Sequence, residues 1–431
     1  MFKTTHKTFR DCLARLQWQR IHTSSESSIR LWQHQQLRKI VRHSYQSVPL
    51  YQELWRGLLE SGQPVDLKKL PIINKETFRT RPSEEHLDNS RPLLSQWHAT
   101  SGTSGEPFRV LMRDHLLQDS YAEFLKYRFL WWRGFSLQKI KSLKIARIRI
   151  RGHSDRNCLV LSVADFFKDT QSAVFALRDF APEIIEGYPS MLIELCRYIQ
   201  ENNLRGILRP RFIVASGEML NRAERTFVET ILGGEAYDRY GLEELGVVGV
   251  ECKFHVGFHP YSESYILEIV NENGEDVPVE HRGRIVITDL FNYSMPFIRY
   301  DTGDMGTLLD SPCRCGLQAP RLLLEGRYSA VLQFQKRKVH HLEFDGVLDS
   351  FQNAIMRYQV VKISENSIKV LIIPGESFSS SISRRIREGV CGLVGDTVRV
   401  TVEPSRAMVL TPAGKCRILV DMSEINSVSL R

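Results

Sequence analysis

Several features that would assign a chain to a specialised class of protein are absent from this sequence. Its 431 residues contain no run that approaches the roughly 18 consecutive apolar residues of a membrane-spanning helix. The basic start, residues 1–10, is not followed by the apolar core of a signal peptide. The eight cysteines are few and irregularly spaced, which is typical of reduced thiols rather than of a disulfide framework. We therefore expect a cytoplasmic protein with no transmembrane segment.

Excess positive charge is scarce outside one segment. Residues 1–43 hold nine basic side chains against Asp11 and Glu26, a net charge of +7, while the whole chain carries +8. A nucleic-acid-binding protein spreads or stripes its basic charge over the fold. We expect no nucleic-acid partner, and we interpret the segment as a solvated basic helix packed on the main domain.

Repeats and low-complexity tracts are also missing, apart from a short serine-rich stretch at 377–383. A composition of 42% hydrophobic and 25% charged residues is ordinary for globular proteins and excludes disordered and collagen-like chains. The length corresponds to about three domain-equivalents, or fewer if one large unit dominates.

Hydrophobic patterning predicts helices at the start of the chain and an α/β architecture after them. The first 80 residues are amphipathic and helical in pattern, with a stop at Pro49. Beyond residue 92, strand and helix patterns alternate, and the chain becomes β-rich toward residue 330. The clearest predicted elements are strands at 144–151, 211–215, 265–270 and 283–290, a helix at 190–200, and a helix capped by Asn221 and Glu224 that stops at Gly233.

The character of the sequence changes after Arg327. Strand-like runs at 368–373 and 397–402 and a helix entry at 377–388 are enough for a small α+β domain. We predict a large domain, 1–327, with mixed sheets, helices and the helical basic segment 1–80, followed by a small domain, 328–431.

The strongest local motif is Thr100-Ser101-Gly102-Thr103-Ser104-Gly105-Glu106-Pro107. Two glycines and four hydroxyl side chains make a turn whose N–H groups and hydroxyls can wrap phosphate oxygens. The segment lacks the Gly-Lys-[Ser/Thr] ending of a P-loop, so it is not a P-loop NTPase motif. Taken alone, it would suit a flexible connector better.

Further blocks follow in order along the chain. Tyr240-Gly241-Leu242-Glu243-Glu244 offers an aromatic ring that could stack on a base and a carboxylate suited to Mg²⁺. Tyr300-Asp301-Thr302-Gly303-Asp304 places a carboxylate after a glycine turn, where it can accept hydrogen bonds from vicinal hydroxyls. Gly326-Arg327 offers a cation for phosphate, and Thr411-Pro412-Ala413-Gly414-Lys415 offers a mobile lysine.

In this order and spacing the blocks resemble those of the ANL superfamily of adenylate-forming enzymes. The stretch at 43–51, the phrase at 295–300 and the Cys313-Arg314-Cys315-Gly316 insert are similar to the phenylacetate–CoA ligase-like branch, including its capsule-biosynthesis-associated relatives. The resemblance covers roughly residues 35–420. It implies a large adenylate-forming domain and a small lid domain whose closure completes the site.

The resemblance also implies an activity. A small-molecule carboxylic acid would attack the α-phosphate of ATP, pyrophosphate would leave, and the acyl group would pass to a thiol, CoA by default, with Mg²⁺ as the metal. The residues so implied are Ser101, Gly102, Thr103, Ser104 and Gly105 for the β- and γ-phosphates, Ser216, Gly217, Glu218, Tyr240 and Gly241 around the base, Asp304 for the ribose, Arg327 beside the ribose-phosphate, Glu244 for Mg²⁺ and Lys415 for the α-phosphate.

Two other functions stay open at this point. Tyr328-Ser329-Ala330 stands where the family usually has an aspartate hinge. An amine or hydroxyl acceptor in surface-polysaccharide or secondary-metabolite assembly is therefore an alternative to a thiol. A catalytically silent nucleotide-binding scaffold is the second alternative, and the joint presence of Glu244, Asp304 and Lys415 argues against it.

Cys313 and Cys315 could supply two thiolates to a metal, and Cys252 lies upstream with His255 and His259. Three cysteines and one histidine make a tetrahedral zinc set. The resemblance implies a structural zinc here, with His259 as the preferred histidine and His255 as the alternate.

Two features receive structural interpretations. Arg147, Arg149 and Arg151 alternate with apolar residues, which indicates a solvated strand face. His340-His341 has no ligand-like partner nearby in the sequence, and we interpret it as an ordinary surface pair.

Overall fold

The computed structural model describes residues 25–59, 66–88, 97–99, 108–111, 127–149, 154–334, 337–411 and 414–423. The helices in these ranges are α1 (Glu26–Ser47), α2 (Pro49–Leu54), α3 (Lys75–Arg79), α4 (Arg128–Trp132), α5 (Leu137–Ser142), α6 (Val163–Lys168), α7 (Thr170–Phe180), α8 (Pro189–Glu201), α9 (Arg222–Leu232), α10 (His341–Leu348) and α11 (Ser380–Val394). Among them, none combines the length and the hydropathy of a membrane span.

The strands of the described ranges are β1 (Trp97–Ala99), β2 (Arg109–Leu111), β3 (Ile145–Arg149), β4 (Cys158–Ser162), β5 (Ile184–Gly187), β6 (Phe212–Ser216), β7 (Glu235–Leu242), β8 (Gly246–Glu251), β9 (Phe258–Pro260), β10 (Tyr265–Val270), β11 (Gly283–Asp289), β12 (Tyr300–Leu309), β13 (Arg321–Arg327), β14 (Val331–Gln333), β15 (Lys338–His340), β16 (Ile355–Ser364), β17 (Ser367–Pro374), β18 (Arg399–Pro404) and β19 (Leu419–Asp421). Helices and strands alternate along the chain, so the predicted α/β class is confirmed.

The chain forms two compact units. Unit 1 contains the described residues up to 140 together with 239–326, and unit 2 contains 141–238 together with 327–431 as far as they are described. The predicted boundary between a large domain, 1–327, and a lid, 328–431, stays a prediction.

Unit 1 is built on an antiparallel sheet. Its strands lie in the order β10, β11, β12, β13, β9, β8, β7. The strands predicted at 265–270 and 283–290 are confirmed, and they form an antiparallel hairpin, in which β10 and β11 pair from Tyr265↔Asp289 to Val270↔Arg284. Helix α1 ends at Ser47, two residues before the predicted stop at Pro49, and buries one stripe, with Leu37, Ile40 and Val41 inside. Residues 1–24 of the predicted basic helical segment lie outside the described residues.

Unit 2 contains a parallel sheet in the order β6, β5, β3, β4. Such strands are covered on both faces, and all four residues of β5 are buried. Helices α6 to α9 supply the apolar residues that pack on the sheet, and Met356 and Leu410 from the later part of the chain pack against the same core.

A second, smaller sheet in unit 2 has the order β18, β17, β16, β19. β16 and β17 form an antiparallel pair, and the two outer strands run parallel to their neighbours. Helices α10 and α11 pack on this sheet around buried residues such as Phe344, Ile386 and Val390. The α+β composition predicted for the region after Arg327 is confirmed.

Local signals placed helix α9 correctly. The Asn221 side chain accepts a hydrogen bond from the Glu224 N–H, and the Glu224 side chain accepts one from the Asn221 N–H, forming a capping box. Gly233 ends the helix with φ = 76°, a left-handed conformation that glycine adopts without a steric penalty.

Two structural interpretations were wrong. The arginines of β3 do not form a solvated face, because Arg147 and Arg149 both pair with the buried Glu186, at 3.4 and 3.2 Å, and the Arg147 side chain is only 12% exposed. His340-His341 is not a surface pair either. His341 is buried, and the His340 ring accepts a hydrogen bond from the Leu342 N–H at the start of α10.

Candidate active site and cysteine-histidine cluster

Two of the predicted nucleotide-binding residues meet in unit 1. The Tyr240 hydroxyl, near the end of β7, donates a hydrogen bond of 2.7 Å to Asp304 Oδ2 on β12. Both residues are buried. The Asp304 N–H is itself held by Thr302 Oγ1 at 3.1 Å, so the carboxylate has a fixed position.

Glu244 lies just beyond β7 in the same unit and is also buried. Its Oε1 accepts a hydrogen bond of 3.1 Å from the Tyr300 hydroxyl. Lys75 Nζ lies 3.7 Å from the same oxygen. A buried carboxylate of this kind is a hard oxygen ligand of the type that Mg²⁺ prefers, so the donor fits the predicted metal.

Gly241 lies between Tyr240 and Glu244 on the chain. A Cβ atom at Gly241 would lie 2.7 Å from the Gly246 carbonyl oxygen, closer than real Cβ contacts occur. The glycine therefore allows β7 and β8 to approach closely through a shifted register between Tyr240 and Gly241. This close approach of the two strands sets the position of Tyr240 before Gly241 and of Glu244 after it.

Unit 2 brings Lys415 to the turn that follows β6. Gly217 in this turn has φ = 81°, and a Cβ there would lie 3.0 Å from the Tyr188 ring and 3.6 Å from Lys415 Cε. Lys415 Nζ lies over the Tyr188 ring, 5.4 Å from its centroid. Ser216, Gly217 and Lys415 are thus neighbours, as the resemblance implies for a nucleotide site.

The Glu218 side chain does not point into open space. Its Oε1 accepts hydrogen bonds from Ser190 Oγ at 2.8 Å and from the Cys416 N–H at 2.6 Å. Its Oε2 accepts from the Ser190 N–H at 3.0 Å and from Arg357 Nη1 at 2.8 Å. Four donors of the protein therefore surround this carboxylate.

The remaining predicted residues have different outcomes. Arg327 ends β13, is exposed, and its carbonyl is within 3.0 Å of His340 Nε2. Ser101, Gly102, Thr103, Ser104 and Gly105 lie outside the described residues. The strands that flank their segment, β1 and β2, pair antiparallel with Ala99 opposite Arg109.

A cluster of three cysteines and one histidine lies in unit 1. The ligand atoms of Cys252, His259, Cys313 and Cys315 all lie within 4.8 Å of one another. Cys252 Sγ is 3.7 Å from Cys313 Sγ, and Cys315 Sγ is 3.5 Å from His259 Nε2. Thiols and an imidazole converging at these separations match the donor set of a tetrahedral zinc site.

The choice between the two histidines is decided by the fold. His259 is buried in β9 and faces the thiols, whereas His255 Nδ1 lies 3.2 Å from Glu251 Oε2. Burial, with help from Arg321 and Arg128, lowers the pKa of His259 to about 4, so its imidazole is neutral at physiological pH. A neutral imidazole is the form that binds a metal ion.

The thiols of the cluster differ in their environment. Burial raises the pKa of Cys252 and raises that of Cys315 to about 12. Burial acts in the same sense on Cys313, but hydrogen bonds, first of all from the Cys315 backbone, outweigh it and lower the pKa of Cys313. Three neighbouring thiolates repel one another, so their joint deprotonation requires a cation among them.

Sequence reasoning missed Lys75 and Arg357. Lys75 lies 169 positions before Glu244, and Arg357 lies 139 positions after Glu218, and neither stands in a recognisable motif. A buried arginine or a lysine beside a carboxylate has no sequence signature when the partner comes from a distant element.

The chain is similar to known proteins both in sequence and in fold. No protein-family model matches it. Phenylacetate-coenzyme A ligase of Thermus thermophilus is 25% identical over 447 aligned positions, which span 93% of this chain and 98% of that protein. Protein CapK of Staphylococcus aureus is 20% identical over 90% of this chain and 88% of its own length. A crystal structure of 2-hydroxyisobutyryl-CoA ligase with 2-HIB-AMP has a TM-score of 0.71 and 18% identity, covering 90% of this chain and 88% of that one.

The fold is that of the adenylate-forming ligases. In sequence, the chain is similar over nearly its full length to phenylacetate-coenzyme A ligases and to CapK.

Proposed function

We propose that this protein activates a carboxylic acid with ATP to an acyl-adenylate, releasing pyrophosphate, and transfers the acyl group to the thiol of CoA. One observation carries the proposal. A chain that aligns almost end to end with a phenylacetate-coenzyme A ligase also holds Glu244, Asp304 and Lys415 at the positions that the resemblance implies.

The residues have separate tasks in this proposal. The hydroxyls and N–H groups of residues 101–105 hold the β- and γ-phosphates of ATP, and Asp304 accepts hydrogen bonds from the ribose hydroxyls. Tyr240 and Gly241, with the turn Ser216-Gly217-Glu218, frame the base. Glu244 would hold Mg²⁺, which would supply positive charge beside the phosphates. Arg327 stands beside the ribose-phosphate, and Lys415 offsets the charge that develops on the α-phosphate.

Positioning accounts for most of this chemistry. The carboxylate oxygen of the substrate forms a bond to the α-phosphorus while the bond to the pyrophosphate oxygen breaks, so no proton transfer is needed in this step. The thiolate of CoA then attacks the acyl carbon, and AMP leaves. We place Lys415 in a lid domain, 328–431, that brings the lysine to the nucleotide for the first step.

The test separates an enzyme from a scaffold. Pyrophosphate release is measured with ATP, Mg²⁺ and a panel of aryl, acyl and amino acids, first without and then with CoA. The proposal expects release with at least one acid, and consumption of CoA thiol with that acid. No release with any acid would favour the silent scaffold. Release without thiol consumption, together with turnover of an added amine or alcohol, would favour the other acceptor class.

The cysteine-histidine cluster is proposed to hold one structural zinc ion. Cys252, His259, Cys313 and Cys315 provide four ligands, which leave no open coordination position for a catalytic water. When bound, zinc would tie β8, β9 and the β12–β13 loop together. The cysteines of the described ranges are free thiols, and we accordingly propose a reducing, cytoplasmic location.

A further inference from the structure

Arg357 joins two buried carboxylates in unit 2. Its Nη1 donates to Glu218 Oε2 at 2.8 Å, and its Nε donates to Glu224 Oε1. The Arg357 side chain is 9% exposed, and those of Glu218 and Glu224 are 4% and 1% exposed. Burial raises the pKa of Glu224, and the charge and hydrogen bond of Arg357 oppose that rise. The positive charge of Arg357 thus compensates the negative charge of two carboxylates that are buried from water.

The same Glu218 carboxylate holds the loop that carries Lys415. Its Oε1 accepts the Cys416 N–H, one residue after the lysine, at 2.6 Å. The loop is also closed on itself, since the Thr411 N–H donates to the Lys415 carbonyl and the Lys415 N–H is held by Thr411 Oγ1. Any shift of Glu218 is therefore transmitted to the backbone beside the lysine.

A close approach fixes the other side of this loop. Gly414 has φ = 70°, and a Cβ there would lie 2.6 Å from Val163 Cγ1. Asn221 Nδ2, at the start of α9, donates to the Met356 carbonyl at 3.1 Å, next to Arg357. Glu218 thus attaches both the lysine loop and strand β16 to the 141–238 part of unit 2, and the contacts of Gly414 and Asn221 support this attachment.

We propose that Glu218 and Arg357 are positioning residues for Lys415: Arg357 orients the Glu218 carboxylate, and that carboxylate holds the lysine loop against Tyr188 and the Ser216-Gly217 turn. The inference rests on the proposed function, because it assumes that Lys415 acts in adenylate formation. It assigns to the Glu218 side chain the task of an anchor, while the backbone of the turn faces the nucleotide.

The number of hydrogen-bond donors around the Glu218 carboxylate is the physical reason for its anchoring role. A carboxylate with four protein donors has its lone-pair sites used, so it contributes rigidity rather than a free acceptor for adenine. A misplacement of about 1 Å at a reacting centre can cost on the order of 10²-fold in rate. We therefore expect loss of Arg357 to lower kcat for adenylate formation by 10-fold to 10²-fold, with little change in the KM for ATP.

A double-mutant cycle tests the coupling. Pyrophosphate release in the presence of acid is measured for the wild type, Arg357→Met, Lys415→Ala and the double variant. If Arg357 acts through Lys415, the arginine substitution should have almost no further effect once the lysine is absent. Equal fold-losses in both backgrounds would overturn the proposal. Lys415→Ala with undiminished release would instead contradict the role of the lysine in the proposed function.

A matched control addresses stability. Lys362 lies on the same strand, β16, has a side chain of similar burial, and pairs with Glu365 and with Asp421 at 3.2 Å. Lys362→Met should lower the melting temperature without changing kcat of the folded fraction. A kcat loss in this control as large as that in Arg357→Met would show a general effect of buried-charge loss, against the proposal.

A second variant keeps the test decisive if Arg357→Met does not fold. Glu218→Gln preserves shape but places an amide N–H₂ in front of two of the four donors, which weakens the hold on the loop. The proposal expects a lower kcat with unchanged KM for ATP, and loss of this effect in the Lys415→Ala background. A raised KM with unchanged kcat would show that the carboxylate contacts the nucleotide, and would overturn the anchoring role.

Discussion

In the predicted nucleotide site, two buried acids are each held by a tyrosine hydroxyl. Tyr240 binds Asp304, and Tyr300 binds Glu244. Burying a carboxylate without partners is costly, so these hydroxyls both stabilise the acids and fix their direction. Glu244 also has the cation of Lys75 beside it.

Replacing the two acids should give different defects. Asp304→Ala should weaken ATP binding, because each charge-assisted hydrogen bond to a ribose hydroxyl contributes roughly 1.5–3 kcal/mol. Glu244→Gln should lower turnover and be partly relieved by raised Mg²⁺. Calorimetry of ATP binding and the Mg²⁺ dependence of pyrophosphate release measure the two effects. Tyr240→Phe, which removes only the hydroxyl, is the control for positioning of Asp304. Unchanged ATP affinity in Asp304→Ala would contradict its assignment.

His86 should make stability depend on pH. Burial lowers the pKa of this histidine, and its ring packs edge-on against Phe78 at 5.1 Å. The unfolded chain therefore binds a proton below about pH 6.5 that the folded protein binds only at lower pH. The free energy of unfolding should fall as the pH drops below about 6.5. The free energy of unfolding, measured by urea titration at several pH values, should depend less on pH in His86→Leu than in the wild type. His281→Leu, at an exposed position, should keep the pH dependence of the wild type.

At the level of elements, the cysteine-histidine cluster connects segments that are far apart in the chain. Cys252 follows β8, His259 lies in β9, and Cys313 and Cys315 lie between β12 and β13. Helix α9 is different, because Asn221, Glu224 and Gly233 set its ends through local contacts alone. The first arrangement needs the sheet to form before its ligands meet, and the second does not.

The purified protein should contain about one zinc ion per chain. Elemental analysis of wild type and of Cys313→Ser/Cys315→Ser should show the metal only in the former. The double variant should also melt at a lower temperature, because four ligands from separate segments cross-link the sheet. Cys391→Ser, outside the cluster, should retain both zinc and stability. Absence of zinc from the purified wild-type protein would contradict the proposed zinc site.

For the whole molecule, the proposed reaction divides into two chemical steps that need Lys415 unequally. Lys415→Ala should lower adenylate formation by roughly 10²–10³, the usual effect of losing one group that stabilises transition-state charge. ATP binding should be nearly unchanged, because the lysine acts on charge that develops only during the step. Pyrophosphate release measures adenylate formation, and calorimetry measures ATP binding. Lys338→Ala, which replaces an exposed lysine of the proposed lid domain, is the control. Undiminished release would refute the assignment.

Much of the fold and some of the site could be predicted because the relevant signals are local. The capping box of α9, the β10–β11 hairpin and the apolar strand β6 depend on residues a few positions apart. Prediction failed for Arg147, whose alternation with apolar residues indicated a wet face, because the Glu186 that pairs with it lies on another strand. It failed for His341 for the same reason, since burial depends on what packs over a residue.

The sequence by itself determined the order of the motif blocks, the α/β class and the ends of several elements, because backbone propensity, capping and hydrophobic period act over one or two turns of chain. Only the tertiary structure decided that His259 rather than His255 faces the cysteines, that Lys75 lies beside Glu244, and that Arg357 binds Glu218. These contacts join residues up to 169 positions apart. Sequence spacing does not set such distances, since they depend on how whole elements pack.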